Sequence, residues 1–246
     1  MKNNNSKLGL ITVCSIIVLI LAVAVFVLVY GSTQAPKEDN GITESHTTTQ
    51  NPETETAEPE KADDDWRLIL VNRWNKLPED FTVDLTEYTK GKYLDSRIIP
   101  ELDEMFSAAR SEGVNITVRS GYRSSDEQYS LYVERRQWLL DDGMSEADAD
   151  AEILRWVSYP GTSEHQTGLS LDVNGDGGST SNEDGYEWLT TNAYKYGFIC
   201  RYPEDKSEIT GVTSEPWHIR YVGKDVAEII YNGNLTLEEY LGRAEH

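Results

Sequence analysis

The sequence predicts an α+β fold over residues 66–246, a small central antiparallel sheet flanked by helices. Three observations carry this. Helical and strand-like periods follow one another without a regular strand–helix–strand beat, which argues against a doubly wound parallel sheet. The strand candidates alternate apolar and polar residues, so each has one face for a core. About 180 residues without an internal repeat are ample for one such core.

The elements follow in order. "RLILVNRWNKLP" opens with an apolar run that Pro78 ends. "DSRIIPELDEMFSAARSEG" puts Ile99, Leu102, Met105, Phe106 and Ala109 on one helical face, and Gly113 stops it. "NITVRSGYR" alternates as a strand ending at Gly121. Ser124 or Ser125 caps a helix through "DEQYSLYVERRQWLLDDG". Ser145 caps a second, "SEADADAEILRWVSYPG", closed by Pro160–Gly161. "GLSLDVN" is a strand, "DGYEWLTTNAYKYGF" a helix, and "PWHIRYVG" a strand. The helices "KDVAEIIYNG" and "TLEEYLG" finish the chain.

The amino terminus reads differently. Lys2 and Lys7 precede an uncharged apolar run over 8–30. Its length, about 23 residues, matches roughly 30 Å of hydrocarbon. A signal peptide has an apolar core of about 7–15 residues and ends in small residues. The expectation is a cytoplasmic start (1–7), a transmembrane anchor (8–30) and the bulk outside the cell membrane. Residues 31–65 are rich in acids, Thr and Pro and cannot bury enough surface to fold. They read as a disordered tether with an r.m.s. span of roughly 30–35 Å.

The chain carries −21 at neutral pH. Ten acids against Lys37 and Lys61 give the tether −8, and Lys2 and Lys7 give the start +2, which leaves −15 on 66–246. That charge argues against nucleic acid and anionic lipid as partners of the folded part. Cys14 lies in the anchor and Cys200 in the domain, so neither an intradomain disulfide nor a cysteine zinc finger is available. Nothing in the sequence sets an oligomeric state.

The strand 168–174 carries the chemistry. Leu169, Leu171 and Val173 point to one face, and Ser170, Asp172 and Asn174 to the other. Asp172 therefore faces a polar cleft. His165 precedes it on a loop that can fold back, and His218 opens another strand. Two imidazoles and one carboxylate leave a fourth tetrahedral position open, the pattern of a catalytic zinc site. A lone histidine is ordinarily a satisfied core residue. Here the domain has only two internal histidines, each in a dense polar motif beside Gly or Pro. Glu215, three residues before His218, is placed to act as general base.

A second ion competes for the same stretch. Asp172, Asn174, Asp176, Gly177 and Glu183 match a calcium loop of the EF-hand type. Such a loop needs an entering helix, and here a strand precedes it. The plain alternative is a surface turn. Elsewhere "RSGYRSSDEQ" supplies Arg119, Arg123 and Gln128, and an arginine there can grip a carboxylate through two parallel hydrogen bonds. Tyr122, Trp217 and Tyr221 fit either a cleft or a core.

"SGYRSSDEQ", "GTSEHQTGLSLDV" and "EPWHIRYVG" together resemble the VanY-like D-alanyl-D-alanine carboxypeptidases, zinc enzymes that share a metal-site fold with the amino-terminal domain of hedgehog. The likeness extends over essentially all of 66–246. It implies a hedgehog/DD-peptidase-like fold, with Zn2+ held by His165, Asp172 and His218 and Glu215 as base. It also implies that Arg123 holds the substrate's terminal carboxylate, helped by Ser163 and Gln128. Ser170 stands where the family often has Ala, and 174–185 corresponds to a variable loop near the cleft. The implied activity is removal of the last D-alanine from peptidoglycan stem peptides ending in D-Ala-D-Ala. Two alternatives stay open: an L,D-carboxypeptidase acting on tetrapeptide stems, and a non-catalytic zinc-containing wall-binding module.

Overall fold

The computed structural model describes residues 65–244. The cytoplasmic start, anchor and tether expected over 1–7, 8–30 and 31–65 lie outside them, Asp65 excepted. Asp65 already belongs to the fold: its carboxylate caps the 3₁₀ turn Trp66–Leu68 and pairs with Arg67 at 2.6 Å. Among the described residues, no helix is long and apolar enough to cross a membrane.

The helices of more than one turn are α1 (Ile99–Ser111), α2 (Ser125–Asp141), α3 (Glu146–Ile153), α4 (Asn182–Asn192) and α5 (Lys224–Gly233), with single turns at Ser207–Thr210 and Leu237–Tyr240. The strands are β1 (Leu85–Thr89), β2 (Lys92–Asp95), β3 (Ile116–Ser120), β4 (Ser170–Gly175), β5 (Phe198–Cys200) and β6 (His218–Tyr221). The central sheet is antiparallel in the order β3-β4-β6-β5. This is the expected architecture with one strand added, since β5 has only three residues and shows no readable alternation. A second addition is the β1–β2 hairpin, which the sequence reading does not contain. The one cue the sequence offers for it is Gly91, which supplies the left-handed position of the turn at φ +70°.

Alternation divides the central sheet. Leu171 and Val173 of β4, Ile219 and Tyr221 of β6, Phe198 and Ile116 enter one core with Leu102, Met105 and Phe106 of α1 and Leu189 of α4. Burying each such aliphatic or aromatic side chain contributes about 1.5–3 kcal/mol. Ser170, Asp172, His218 and Arg220 occupy the opposite face, and all four are buried. A second core packs Val226, Ala227 and Ile230 of α5 on Leu68, Leu70, Ile199 and Val222.

Helix starts follow the expected caps. Ser124 and Glu127 form a reciprocal capping box at α2, and Ser145 caps α3. The end of α3 does not follow expectation. It stops at Ile153, seven residues before Pro160. The reason is tertiary: the Leu154 carbonyl accepts from Arg73 Nη2 at 2.6 Å, and the Arg155 carbonyl accepts from Thr213 N at 2.8 Å. Carbonyls satisfied from outside no longer need a continuing helix. The chain then turns and brings Trp156, Val157 and Ser158 to the cleft.

Candidate active site

Backbone pairing creates the cluster. In the β4–β6 ladder Asp172 is the direct partner of His218, and Ser170 of Arg220. Directly opposed residues have Cβ atoms about 4.5–5.5 Å apart, so the ladder itself places these two side chains together. His165 arrives from the 3₁₀ turn Glu164–Thr167, closed by Gly168 at φ +71°. Its Nδ1 donates to the Gly121 carbonyl at 2.7 Å. Gly121 is required there, because a Cβ would fall 2.4 Å from the Tyr93 carbonyl oxygen.

With Nδ1 committed as donor, the His165 lone pair resides on Nε2, which lies 3.3 Å from Asp172 Oδ1. His218 turns the other way and places Nδ1 3.1 Å from the same oxygen. One ligand atom from each of His165, Asp172 and His218 lies within 4.8 Å of the other two, and all three residues are buried. Two imidazole nitrogens and a carboxylate oxygen, converging in a buried cluster, fit zinc as a donor set. Glu215 Oε2 stands 3.8 Å from His218 Nδ1.

The electrostatics differ from group to group. Burial pushes the Glu215 carboxyl up to about 7, against the pull of His218. Burial works on Asp172 in the same sense, yet His165 and His218 hold it well below the usual carboxylate range. Burial lowers His165. It opposes protonation of His218 too, but hydrogen bonds to Asp172 and Glu164 raise that imidazole to about 9.

A cleft of about 360 Å³ opens over the cluster and is lined by Arg119, Arg123, Gln128, Ser163, Tyr202, Glu215 and Trp217 among others. The structure thus gathers every expected site residue into one cleft. Arg123 Nη1 donates to Gln128 Oε1 at 2.6 Å, while Gln128 Nε2 donates to the Ser158 carbonyl at 2.7 Å. Gln128 is therefore a buried brace that fixes Arg123. Arg123 Nε has no partner, and Nη2 lies 3.7 Å from Asp172 Oδ2. The Ser163 hydroxyl makes no hydrogen bond among the described residues. Trp217 lines the cleft, Tyr221 is core, and Tyr122 is in neither set.

The calcium-like stretch resolves into the plain alternative. Asp176 Oδ1 accepts from the Gly178 and Thr180 amides at 2.9 Å, an Asx-type surface turn. Asn174 Oδ1 accepts from Tyr186 OH, and Asp172 faces the histidines.

Sequence reasoning missed a buried ionic network behind His218. Glu164 Oε1 accepts from Arg201 Nε at 2.7 Å and Arg220 Nη1 at 2.8 Å. Arg201 also forks onto Glu238, whose Oε1 accepts from Asn72. The one available signal was alternation, which sets Arg220 on the same face as His218. Tyr202 packs its ring 4.9 Å from that of His218.

Comparison with known proteins agrees with this geometry. The family model VanY, described as D-alanyl-D-alanine carboxypeptidase, matches residues 91–224, which include every candidate site residue. A D-alanyl-D-alanine carboxypeptidase of Enterococcus faecalis is 46% identical over 195 residues, covering 78% of this chain and 73% of the relative. The solved structure of VanYB in complex with D-alanine-D-alanine is 47% identical, with a TM-score of 0.71, over 74% of this chain and 100% of that one. A mutant of the vancomycin-resistance D,D-pentapeptidase VanY, from a VanB-type cassette and in complex with Zn(II), gives 47% identity and a TM-score of 0.71 over 72% of this chain and 99% of that one.

Proposed function

The chain belongs to the VanY family of D-alanyl-D-alanine carboxypeptidases, and we infer that it is a zinc-dependent carboxypeptidase that removes the terminal D-alanine from peptidoglycan stem peptides ending in D-Ala-D-Ala. The observation that carries this reading is the convergence of His165, Asp172 and His218 beside Glu215 and Arg123 in one cleft.

His165 Nε2, an Asp172 oxygen and His218 Nδ1 hold the ion in this reading. Zinc, when bound, supplies Lewis-acid polarisation of the scissile carbonyl and acidification of water. Glu215 accepts a proton from the attacking water at its carboxylate and returns it to the nitrogen of the leaving D-alanine. Arg123, braced by Gln128, pairs with the free carboxylate of the substrate, and the unengaged Ser163 hydroxyl adds a donor beside it. A reader of terminal carboxylates makes an exopeptidase, because an internal peptide bond has no such anion to offer.

The apolar run 8–30 serves in this proposal as an uncleaved membrane anchor, and 31–65 as the tether that holds the domain in the cell wall space. The uncharged run behind Lys2 and Lys7 supports it. Fractionation should find the full-length chain with membranes and release the domain by proteolysis within 31–65. Recovery of a soluble chain lacking its first 30 or so residues would replace the anchor with a signal peptide.

The activity is tested by incubating the purified chain with pentapeptide and tetrapeptide stems, with zinc or chelator, and reading masses. Pentapeptide should become tetrapeptide only when zinc is present. Tetrapeptide becoming tripeptide would mark an L,D-carboxypeptidase, and zinc binding without turnover a wall-binding module.

A further inference from the structure

We propose that Glu164 is a positioning residue: its carboxylate fixes the tautomer of His218 so that Nδ1 presents a lone pair to the metal. The proposal rests on the zinc reading above and adds a residue that this reading does not use.

The geometry is direct. His218 Nδ1 faces the cluster, 3.1 Å from Asp172 Oδ1, so Nε2 must point away from it. What it meets there is Glu164 Oε2 at 3.5 Å. Neither of these two buried atoms makes a hydrogen bond, so each is left facing the other across an ion-pair distance. The remaining oxygen, Oε1, is taken by Arg201 and Arg220. Arg220 in turn donates to the backbone carbonyls of Arg67 and Ile69, each at 2.9 Å. The carboxylate is thus clamped in place with one oxygen aimed at one ring nitrogen.

An ionised carboxylate has no proton to give, so it accepts from whatever faces it. Asp172 faces Nδ1 in the same way at 3.1 Å, but it is itself a ligand in this reading. With Asp172 turned to the ion, the proton kept by the imidazole is the one Glu164 holds on Nε2, and Nδ1 is the nitrogen left with a lone pair. His165 reaches the complementary state by another route, its Nδ1–H held by the Gly121 carbonyl. The two histidines are set by two different acceptors, one a backbone oxygen and one a charged side chain. Only the second can be altered by substitution without moving the backbone.

Glu164→Gln tests this. Gln keeps an oxygen for the two arginines and turns its NH₂ toward His218 Nε2. A donor there favours the proton on Nδ1, the nitrogen that must be bare to bind metal. Loss of such an orienting partner typically weakens metal binding by about 10–100-fold. Glu238→Gln is the matched control, since it removes charge from the same Arg201 without touching His218. Zinc dissociation constants are measured by chelator competition on the full-length chain, with circular dichroism to check folding. The expected result is a Kd raised about 10–100-fold in Glu164→Gln and unchanged in Glu238→Gln. An unchanged Kd in Glu164→Gln, or equal weakening in both variants, overturns the role.

Should Glu164→Gln not fold, ¹H–¹⁵N correlation of the zinc-loaded wild type decides. A His218 ring protonated at Nε2 and bound through Nδ1 supports the proposal, and a ring bound through Nε2 overturns it. A wild type that takes up no zinc would sink the metal site itself, an outcome distinct from zinc uptake that is indifferent to Glu164.

Discussion

His218 stands between two carboxylates in opposite surroundings. Behind it, Glu164 is fully buried, yet Arg201 and Arg220 both donate to it and, against that burial, hold it well below the usual carboxylate range. In front, Glu215 is also largely buried but has no arginine ion pair among the described residues, and burial lifts it to about 7. The same residue type beside the same imidazole is locked as an anion on one side and poised to exchange a proton on the other. Burial does not separate the two roles; compensation does. Where every charge is matched, the molecule has built structure. Where a buried group is left short of partners, as Glu215 and the Arg123 Nε are, it has built a site for something else.

The comparison breaks first at Glu215. Glu215→Gln should lower kcat by about 10²–10⁴-fold, the usual worth of a general acid–base, while zinc content and Tm stay at wild-type values. D-alanine release under saturating substrate measures it, and a fall of less than tenfold would remove Glu215 from the proton path. The matched side breaks at Glu238. Glu238→Ala strips Arg201 of its fork and leaves a buried charge half compensated, which costs about 3–5 kcal/mol. Urea unfolding should show that loss, and a change of a few tenths would mean the network relaxes freely.

Smaller effects sharpen the contrast. Arg123→Lys keeps the charge and loses the fork, so kcat/KM should drop about 10–100-fold, the worth of one charged hydrogen bond. Stems with an amidated terminus should show no such drop, because they offer no carboxylate to lose. The smallest effect is in pH. Glu238 is held below its ordinary value in the fold, against burial, by Arg201 and Asn72. Its contribution to stability is therefore complete above the unfolded value of about 4.3 and is lost as pH falls through the lower folded value. Tm of the chelated protein should decline below about pH 4, with a shallower decline in Glu238→Gln.

How much of this was legible in the sequence follows the same division. His165, Asp172 and His218 could be read because period-two alternation is local: Leu171 and Val173 announce the core face, and Asp172 must then lie on the other. Ser124 and Ser145 could be read because caps are local as well. Glu164, Arg201 and Glu238 could not. Charged residues in sequence look like solvated surface, and only folding brings together three that lie 37 residues apart, pair by pair. The end of α3 was misjudged for a related reason, since the carbonyls just past it, of Leu154 and Arg155, are satisfied by Arg73 and Thr213, which are distant in the chain. β5, at three residues, is shorter than the window in which alternation shows. The calcium-like loop is the reverse case, a local match whose first acid, Asp172, was already taken by a partnership that the motif does not contain.

The measurement that bears most directly on the site is a joint titration. Metal-free protein is given zinc in steps, while bound metal and D-alanine release from a D-Ala-D-Ala-terminated stem are followed in the same samples. Three ligands around one ion should make both curves rise together and level off at one zinc per chain. Release that persists in the chelated protein, or that saturates at a different stoichiometry from binding, would contradict the account.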